Sequence, residues 1–580
     1  MCGIVGYIGR RPAEAIVTEG LKRLEYRGYD SFGVATLDTM ITIAKKSGRI
    51  SDAGRSRVSL KGSIGIGHTR WATHGEPSDR NAHPHLDCAE RIAVVHNGII
   101  ENYAELRREL IDRGHSFRSE TDTEVIAHLL EERYNGDLLT TLEEILPLLT
   151  GSFAILLLAE GEDRIVAARM ASPLVIGIGD RELLTASDVT PLVEHTRRVI
   201  YLEDGDCVEL TRSGYRIRNG GMPVEREITE VDWDIEDARL GGFPHYMQKE
   251  IFEQPQVFYN TLQAVRESPD ALDLLRGRDR LTIVACGSSY HAGLLYKYLL
   301  EMSCGMAVRV EQGSEFKYYP PPLSGTVIGI SQSGETADTL AALKMAQSRG
   351  CRTVAVTNVV GSTITRMTDA TIHLRAGPEM SVAATKSFIA QLAAGLGITD
   401  ALTDDSHAEE NRRVNVSIEE ILTIPITEAV ELCRSASSLF YIGRGLFYPA
   451  ALEGALKMKE ISYIHAEGYA AGELKHGPFA LLSGETPVIA IAIPGAAYPV
   501  MLSNIKEIKA RGAPVIAVGI AGDIELVELA DIFIGLPKTP ELTAVATVSV
   551  LLQRLAYETA DALGRDIDKP RNLAKSVTVE

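Results

Sequence analysis

The sequence predicts two architectures in one chain: a β-rich N-terminal part, mixed α+β, and then two tandem doubly wound parallel-sheet α/β domains. Three observations carry this. Up to about residue 220, apolar runs of strand length, such as 152–158, 165–168 and 207–210, alternate with turn signals. From about residue 280, strands alternate with loops and helices, as βαβ units do. The second stretch of that alternation also repeats the first in local detail, so one domain is present twice.

Taken in order, the N-terminal part opens with Met1-Cys2-Gly3-Ile4-Val5-Gly6. If Met1 is removed, Cys2 carries a nucleophilic thiol and a free α-amine on one residue. An α-amine titrates near neutrality, at about 7.7–8.0, so it can take the thiol proton and supply the adjacent base that a weakly ionised nucleophile needs. A cysteine can equally be a small buried hydrophobe. Three blocks downstream complete a set: Gly67-His68-Thr69-Arg70-Trp71-Ala72-Thr73-His74-Gly75, Val95-His96-Asn97-Gly98-Ile99-Ile100-Glu101-Asn102 and Ser119-Glu120-Thr121-Asp122-Thr123-Glu124. A free amino acid needs a cation for its carboxylate, and the planar fork of Arg70 offers one. It needs an anion for its ammonium, and Asp122 supplies one. An oxyanion needs preorganised donors. Asn97-Gly98, closing an apolar strand at 92–95, offers a side-chain amide and a backbone N–H. Singly, Arg70 and Asp122 also read as a surface ion pair, Asn97-Gly98 as a hairpin turn, Trp71 as core and His74 as a core histidine.

Together the four blocks resemble the class II glutamine amidotransferases, whose glutaminase domains are N-terminal-nucleophile hydrolase sandwiches. The resemblance implies that Cys2 is the nucleophile and that Asn97 and Gly98 form the oxyanion hole. It further implies that Arg70, Thr73, His74, Gly98 and Asp122 bind L-glutamine, that Trp71 gates ammonia, and that His83, in Asn81-Ala82-His83-Pro84-His85, lies near the glutamine pocket.

Composition sets limits on the rest. At 580 residues the chain is too long for one core. A hydrophobic content of 45 % and a charged content of 24 % are ordinary for a globular protein. No apolar run reaches the ~18 residues of a membrane span; the candidates at 153–159 and 488–502 are short or broken by Pro494 and Gly495. No basic-then-apolar leader is visible, so a cytoplasmic location is expected. The net charge of −19 argues against nucleic acid and anionic membrane as partners. Seven scattered cysteines without a Cys-x-x-Cys pair suggest neither zinc site nor disulfide framework; no metal and no cofactor is expected.

The expected domains are 2–222 for the glutaminase, 223–242 for a linker, 243–408 and 409–563 for the two copies, and 564–580 for a C-terminal tail. The linker rests on the aperiodic acidic stretch 225–242 with its Gly241-Gly242 and Pro244. Strands are expected at 282–285, 327–330, 353–357 and 370–374 in the first copy, and at 439–442, 488–493, 515–519 and 532–536 in the second. Val284-Ala285-Cys286-Gly287-Ser288-Ser289 parallels Tyr441-Ile442-Gly443-Arg444-Gly445, and the Arg-Gly turn before 353–357 recurs before 515–519.

The copies diverge at one loop. In the first, strand 327–330 runs into Ser331-Gln332-Ser333-Gly334-Glu335-Thr336 and then a helix at 337–347. Hydroxyls, backbone N–H groups and a helix N-terminus at a strand's carboxyl end make a phosphate site that needs no lysine; helix capping by Ser333 or Thr336 is the plainer alternative. The second copy has Pro494-Gly495-Ala496-Ala497-Tyr498-Pro499 there, almost without hydroxyls. One anion site per pair follows.

These copies resemble the tandem sugar isomerase domains that bind phosphosugars, and the order of a glutaminase followed by two such domains resembles one family of amidotransferases along nearly the whole chain. The ending Asp568-Lys569-Pro570-Arg571-Asn572-Leu573-Ala574-Lys575-Ser576-Val577-Thr578-Val579-Glu580 carries that resemblance as specifically as the start does. It implies that the amide nitrogen of L-glutamine passes as ammonia to D-fructose 6-phosphate, giving D-glucosamine 6-phosphate and L-glutamate, at the start of amino-sugar synthesis. Ser288, Ser289, Ser331, Gln332, Ser333 and Thr336 would hold the phosphosugar, with Val382 and Ala574 lining the site. Lys575 would form a Schiff base on a tail folded over the sugar. Glu460 would move a proton between C1 and C2, with Lys457 one helical turn earlier. His476 would open the sugar ring from the neighbouring subunit of a homodimer. Outside that resemblance, Lys575 reads as a solvated tail lysine, Lys457 and Glu460 as a surface i, i+3 pair, and His476 as a loop residue. One departure stands out: the family's Ala-Ser-Thr-Lys is Ala383-Ala384-Thr385-Lys386 here, which puts a hydroxyl contact at Ala384 in question. Another ketose phosphate as acceptor, or a phosphosugar-sensing regulator, are the competing readings; a sensor would need none of Cys2, Glu460, His476 and Lys575.

Overall fold

The computed structural model describes residues 2–52, 60–231, 239–403 and 408–578. By contact, the chain forms two compact units, Met1–Arg239 together with Ala574–Glu580, and Leu240–Leu573. The expected removal of Met1 and the last two residues of the tail signature lie outside the described residues.

The first unit is a sandwich of two antiparallel sheets. One has eight strands, with Gly3–Ile8 in its interior between Leu183–Ala186 and Ile64–Arg70. The other has seven, with Ile92–Ile100 paired to Gly151–Ala159. Ile4, Ile8 and Ile66 from one sheet interlock with Ala93, Val95 and Leu156 from the other. The outer face of the second sheet is covered by the helices Tyr103–Asp112, Glu124–Arg133 and Leu138–Ile145, and Ala13–Arg23 packs on the first. Because both faces of Gly3–Ile8 are covered, the strand reads as an unbroken buried run rather than an alternating one. Within the expected linker, Thr229–Glu230 joins the eight-stranded sheet as an edge strand beside Arg198–Tyr201; residues 232–238 lie outside the described residues.

The second unit holds two five-stranded parallel sheets. In each, the strand order within the copy is 2-1-3-4-5. The first runs Ala307–Gln312, Arg280–Ala285, Thr326–Ile330, Arg352–Thr357, Ala370–His373, and the second His465–Ala470, Ser438–Gly443, Val488–Ile491, Val515–Ile520, Ile532–Leu536. Identical order confirms the internal duplication. The eight expected strands are all present, and each copy has one more at its edge. Those two, Ala-Val-Arg-Val-Glu-Gln and His-Ala-Glu-Gly-Tyr-Ala, lack an apolar run because an edge strand is only half covered. The copies share one core, in which Phe388 and Leu392 of Lys386–Leu402 pack with Met458, Leu551 and Leu555 from the second copy. Among the described residues no helix is long and apolar enough to cross a membrane.

Candidate active sites

In the first unit, Cys2 stands immediately before the interior strand Gly3–Ile8, and its neighbour Gly3 pairs with Thr69. That register brings the following residues, Arg70 and Trp71, to the thiol. The Trp71 N–H donates to Cys2 Sγ at 3.3 Å, and the thiol donates to the Trp71 carbonyl at 3.5 Å. Burial pushes the Cys2 thiol pKa up from its ordinary value. The Cys2 carbonyl accepts from Asn97 Nδ2 at 3.0 Å and from Arg27 Nε at 3.4 Å, so a strand of the second sheet and the turn after Ala13–Arg23 fix the nucleophile's backbone.

The strand bearing Asn97-Gly98 does not close there. It runs on to Ile100, with Asn97 opposite Ala154 and Gly98 opposite Phe153. The hairpin alternative is therefore wrong, and so is the expectation that the pair ends a strand. Gly98 sits at φ +129°, and a Cβ there would run into the Ser152 carbonyl oxygen. Only glycine fits this distortion.

Arg70 and Asp122 are not a surface pair: both are buried. The Arg70 guanidinium donates to the backbone carbonyls of His74, Gly75 (2.8 Å) and Glu76 (3.4 Å), and among the described residues no carboxylate forms an ion pair with it. Burial lowers its pKa, against the raising influence of Cys2 and Asp122. Asp122 Oδ2 accepts the Ile100 N–H at 2.8 Å. An uncompensated buried cation is costly, and the carboxylate of an amino acid would offset that cost. Thr73 is exposed on the loop that Arg70 holds, while His74 is half-buried with its ring edge-to-face on Tyr103 at 4.9 Å. Trp71 meets Tyr29 edge-to-face at 5.8 Å.

His83 belongs to a buried histidine cluster. Its ring stacks on His68 at 4.0 Å and lies 4.7 Å from His85. Thr123 Oγ1, one residue from Asp122, bridges His96 Nδ1 (2.9 Å) and His83 Nε2 (3.3 Å). Burial, then neighbouring positive charge, holds His68, His83 and His85 well below the usual imidazole pKa, so these rings are neutral. Arg27 and Asp30, which accepts the Ala72 N–H at 2.8 Å, escaped sequence reasoning. Their signal was a charged pair in Tyr26-Arg27-Gly28-Tyr29-Asp30, ahead of a strand.

In the second unit, the loops after Arg280–Ala285 and Thr326–Ile330 flank the point where the first copy's strand order reverses, the place where open α/β sheets bind ligands. Ser288 and Ser289 open the helix Ser288–Cys304, and Ser331–Thr336 lead into Ala337–Ser348. Thr336 occupies the N-cap position without bonding the helix N–H groups; its Oγ1 meets Ser331 Oγ at 2.8 Å. Ser331 Oγ also accepts from Gly334 N, and Ser333 Oγ from Glu335 N. Gln332 accepts the Asn358 N–H through its carbonyl. Ser289 Oγ accepts from Gln391 Nε2 at 2.9 Å. The Val382 N–H donates to the carbonyl of Asp568, whose carboxylate in turn accepts the N–H groups of Tyr246 and Met247. The start of the tail signature is thereby tied to the Val382 loop, where Ala384 is half-buried.

The helix Phe447–Ser462 of the second copy brings its charges to this place. Glu453 is buried and bonds His291 Nδ1 at 2.7 Å and Ser288, both from the first copy's helix. Lys457 Nζ lies 3.4 Å from Glu453 and 2.6 Å from Glu460. The expected alternative of a surface pair fails, because Lys457 is only 1 % exposed. Burial lowers its pKa, but Glu460 and Glu453 outweigh that and hold it above the ordinary lysine value. Glu453 and His291 had no sequence signal, since their meaning is their contact. In the second copy, a Cβ at Gly495 would overlap the Glu541 carboxylate. A carboxylate thus lies against the loop that corresponds to Ser331–Thr336.

His476 ends the short helix Ala471–His476 and is exposed. Residues 574–580 group by contact with the first unit; Ala574 and Lys575 are half-buried there. Val577 is 54 % exposed, whereas Leu573 is half-buried.

The chain matches the model of the glutamine amidotransferase domain at residues 68–194 and that of the SIS domain twice, at 274–397 and 432–560. It is 48 % identical, over all of both chains, to a glutamine–fructose-6-phosphate aminotransferase [isomerizing] of Thermus thermophilus. The chain belongs to the glutamine–fructose-6-phosphate aminotransferase (isomerizing) family. A Pyrococcus horikoshii member of this aminotransferase family is also 48 % identical over both full lengths. The C-terminal domain of a glucosamine–fructose-6-phosphate aminotransferase from Francisella tularensis superposes with a TM-score of 0.53 at 33 % identity, covering 57 % of this chain and 99 % of that one.

Proposed function

We propose that the chain transfers the amide nitrogen of L-glutamine to D-fructose 6-phosphate and isomerises the product to D-glucosamine 6-phosphate, releasing L-glutamate. The observation that carries this is the Cys2 thiol held between the N–H and carbonyl of Trp71, beside a buried Arg70 that forms no ion pair among the described residues. Arg70 takes the glutamine carboxylate and Asp122 its ammonium, with Thr73, His74 and His83 around them. The Cys2 sulfur attacks the side-chain amide carbon, the oxyanion meets Asn97 and the Gly98 N–H, and the C–N bond breaks to leave a thioester and ammonia. Water hydrolyses the thioester to glutamate and frees the thiol. A reducing, cytoplasmic setting keeps that thiol available.

Ser288, Ser289, Ser331, Gln332, Ser333 and Thr336 hold the phosphosugar, with Val382 and Ala574 lining it. The C2 carbonyl of the sugar condenses with the Lys575 amine, losing water, and ammonia then displaces that amine to leave an imine at C2 and free the lysine. Glu460, positioned by Lys457, moves a proton from C1 to C2, which leaves an aldehyde at C1 and an amine at C2. His476 is exposed in the single chain, which suits action on the neighbouring subunit's sugar in a homodimer.

The test is to incubate the protein with glutamine and each of several ketose phosphates and identify the product. Glucosamine 6-phosphate from fructose 6-phosphate is expected, and Cys2→Ala should abolish glutamine hydrolysis while sugar-phosphate binding stays. Turnover of a different ketose alone, or phosphosugar binding without turnover, would replace this reading by one of its competitors.

A further inference from the structure

Four side chains from three segments of the first unit converge away from the thiol. Cys88 follows the short strand His85–Leu86, His115 follows the helix Tyr103–Asp112, and His128 and Glu131 share a face of Glu124–Arg133. Cys88 Sγ lies 3.6 Å from His115 Nδ1 and 3.5 Å from His128 Nδ1. Glu131 Oε2 lies 3.0 Å from His115 Nδ1 and 3.3 Å from His128 Nδ1. All four donor atoms fall within 4.8 Å of one another. We propose that Cys88, His115, His128 and Glu131 bind one structural zinc ion.

The spacing suits that ion. Zinc bonds of about 2.0–2.3 Å to nitrogen, oxygen and sulfur in a tetrahedron put neighbouring donors roughly 3.3–3.6 Å apart, close to the four distances above. The donor set of one thiolate, two imidazoles and one carboxylate is of the borderline-soft kind that zinc accepts. The orientation is equally telling. Both histidines turn Nδ1 inward, and both turn Nε2 toward a carboxylate: His115 toward Glu132 at 3.4 Å and His128 toward Glu124 at 3.7 Å. Outer carboxylates of this sort fix the ring of a metal-bound histidine. The sulfur accepts the Ser116 N–H at 3.5 Å, and Glu131 Oε2 accepts the Cys88 N–H at 3.1 Å.

Four protein ligands close the coordination sphere, which marks a structural ion rather than a catalytic one. Binding releases the Cys88 thiol proton to solvent as the thiolate takes the metal. The ion would pin two turns to the middle of the helix that follows Asp122. Glu124, beside His128, also accepts the Ser119 N–H and hydroxyl at 2.7 Å each, so the pin reaches the segment that presents Asp122. No Cys-x-x-Cys pattern contains this set, because its members are spaced 27, 13 and 3 residues apart.

Untagged full-length protein from zinc-supplemented cells, purified without chelator, should carry about one zinc per chain by elemental analysis, as one closed site requires. Cys88→Ser and His128→Gln should each lower that content at least tenfold. Should either variant misfold, wild-type protein stripped with chelator serves instead. One equivalent of cobalt(II) should then saturate a thiolate-to-cobalt charge-transfer band, and Glu132→Gln should weaken binding by about 10–100-fold, the usual effect of an outer-shell partner. Folded wild-type protein that takes up neither zinc nor cobalt, or folded Cys88→Ser that keeps its zinc, overturns the proposal.

Discussion

The two sugar isomerase copies share a strand order and a core but differ in what stands at the carboxyl end of the third strand. In the first copy that loop carries Ser331, Ser333 and Thr336, whose hydroxyls bond one another and the loop's own N–H groups. In the second the hydroxyls are gone, and the Glu541 carboxylate lies against Gly495. A phosphate and a carboxylate repel, so the second loop is closed to an anion by charge as well as by missing donors. The second copy contributes in another way, because its helix Phe447–Ser462 sets Glu453 against the first copy's Ser288 and His291, with Lys457 joining Glu453 to Glu460. Under the proposed function, duplication has ended in one composite site, with binding groups from one copy and charged groups from the other.

The comparison breaks most visibly at Glu460. Glu460→Gln should lower synthesis of the amino sugar by about 10²–10⁴-fold, the share of a general base, with fructose 6-phosphate affinity little changed; steady-state rates and calorimetry check both halves. Next in size is Glu453→Gln. It leaves Lys457 and His291 without the carboxylate between them, and loss of one partner from a buried ionic group costs about 3–5 kcal/mol, readable as lower denaturant resistance of the second unit. Smaller again, Ser333→Ala with Thr336→Ala should weaken fructose 6-phosphate by about 1.5–3 kcal/mol in all, the worth of one hydrogen bond to a charged group. If Glu460→Gln keeps full activity, the second copy is packing alone and the composite site falls.

Much of this was legible beforehand where a residue type and its neighbours in sequence suffice. The six interior strands of the two parallel sheets announced themselves because a strand covered on both faces must be apolar throughout. The edge strands Ala307–Gln312 and His465–Ala470 did not, being half solvated. Asn97-Gly98 misled because the local preference of Asn-Gly for a turn is overridden by pairing with Ala154 and Phe153. Lys457 and Glu460 looked like a solvated i, i+3 pair, since nothing in that spacing says that Lys457 is buried against Glu453, which itself holds His291. Cys88, His115, His128 and Glu131 were equally silent: their convergence is made by two turns and a helix, not by a motif.

Titrating the full-length chain with fructose 6-phosphate by calorimetry tests the composite site most directly, with wild type, Ser333→Ala/Thr336→Ala and Glu541→Gln side by side. One sugar per chain is expected, weakened tenfold or more in the double variant and unchanged, within about 0.5 kcal/mol as for a site-remote surface change, in Glu541→Gln. Two sugars per chain, or a double variant that binds as the wild type does, would contradict it.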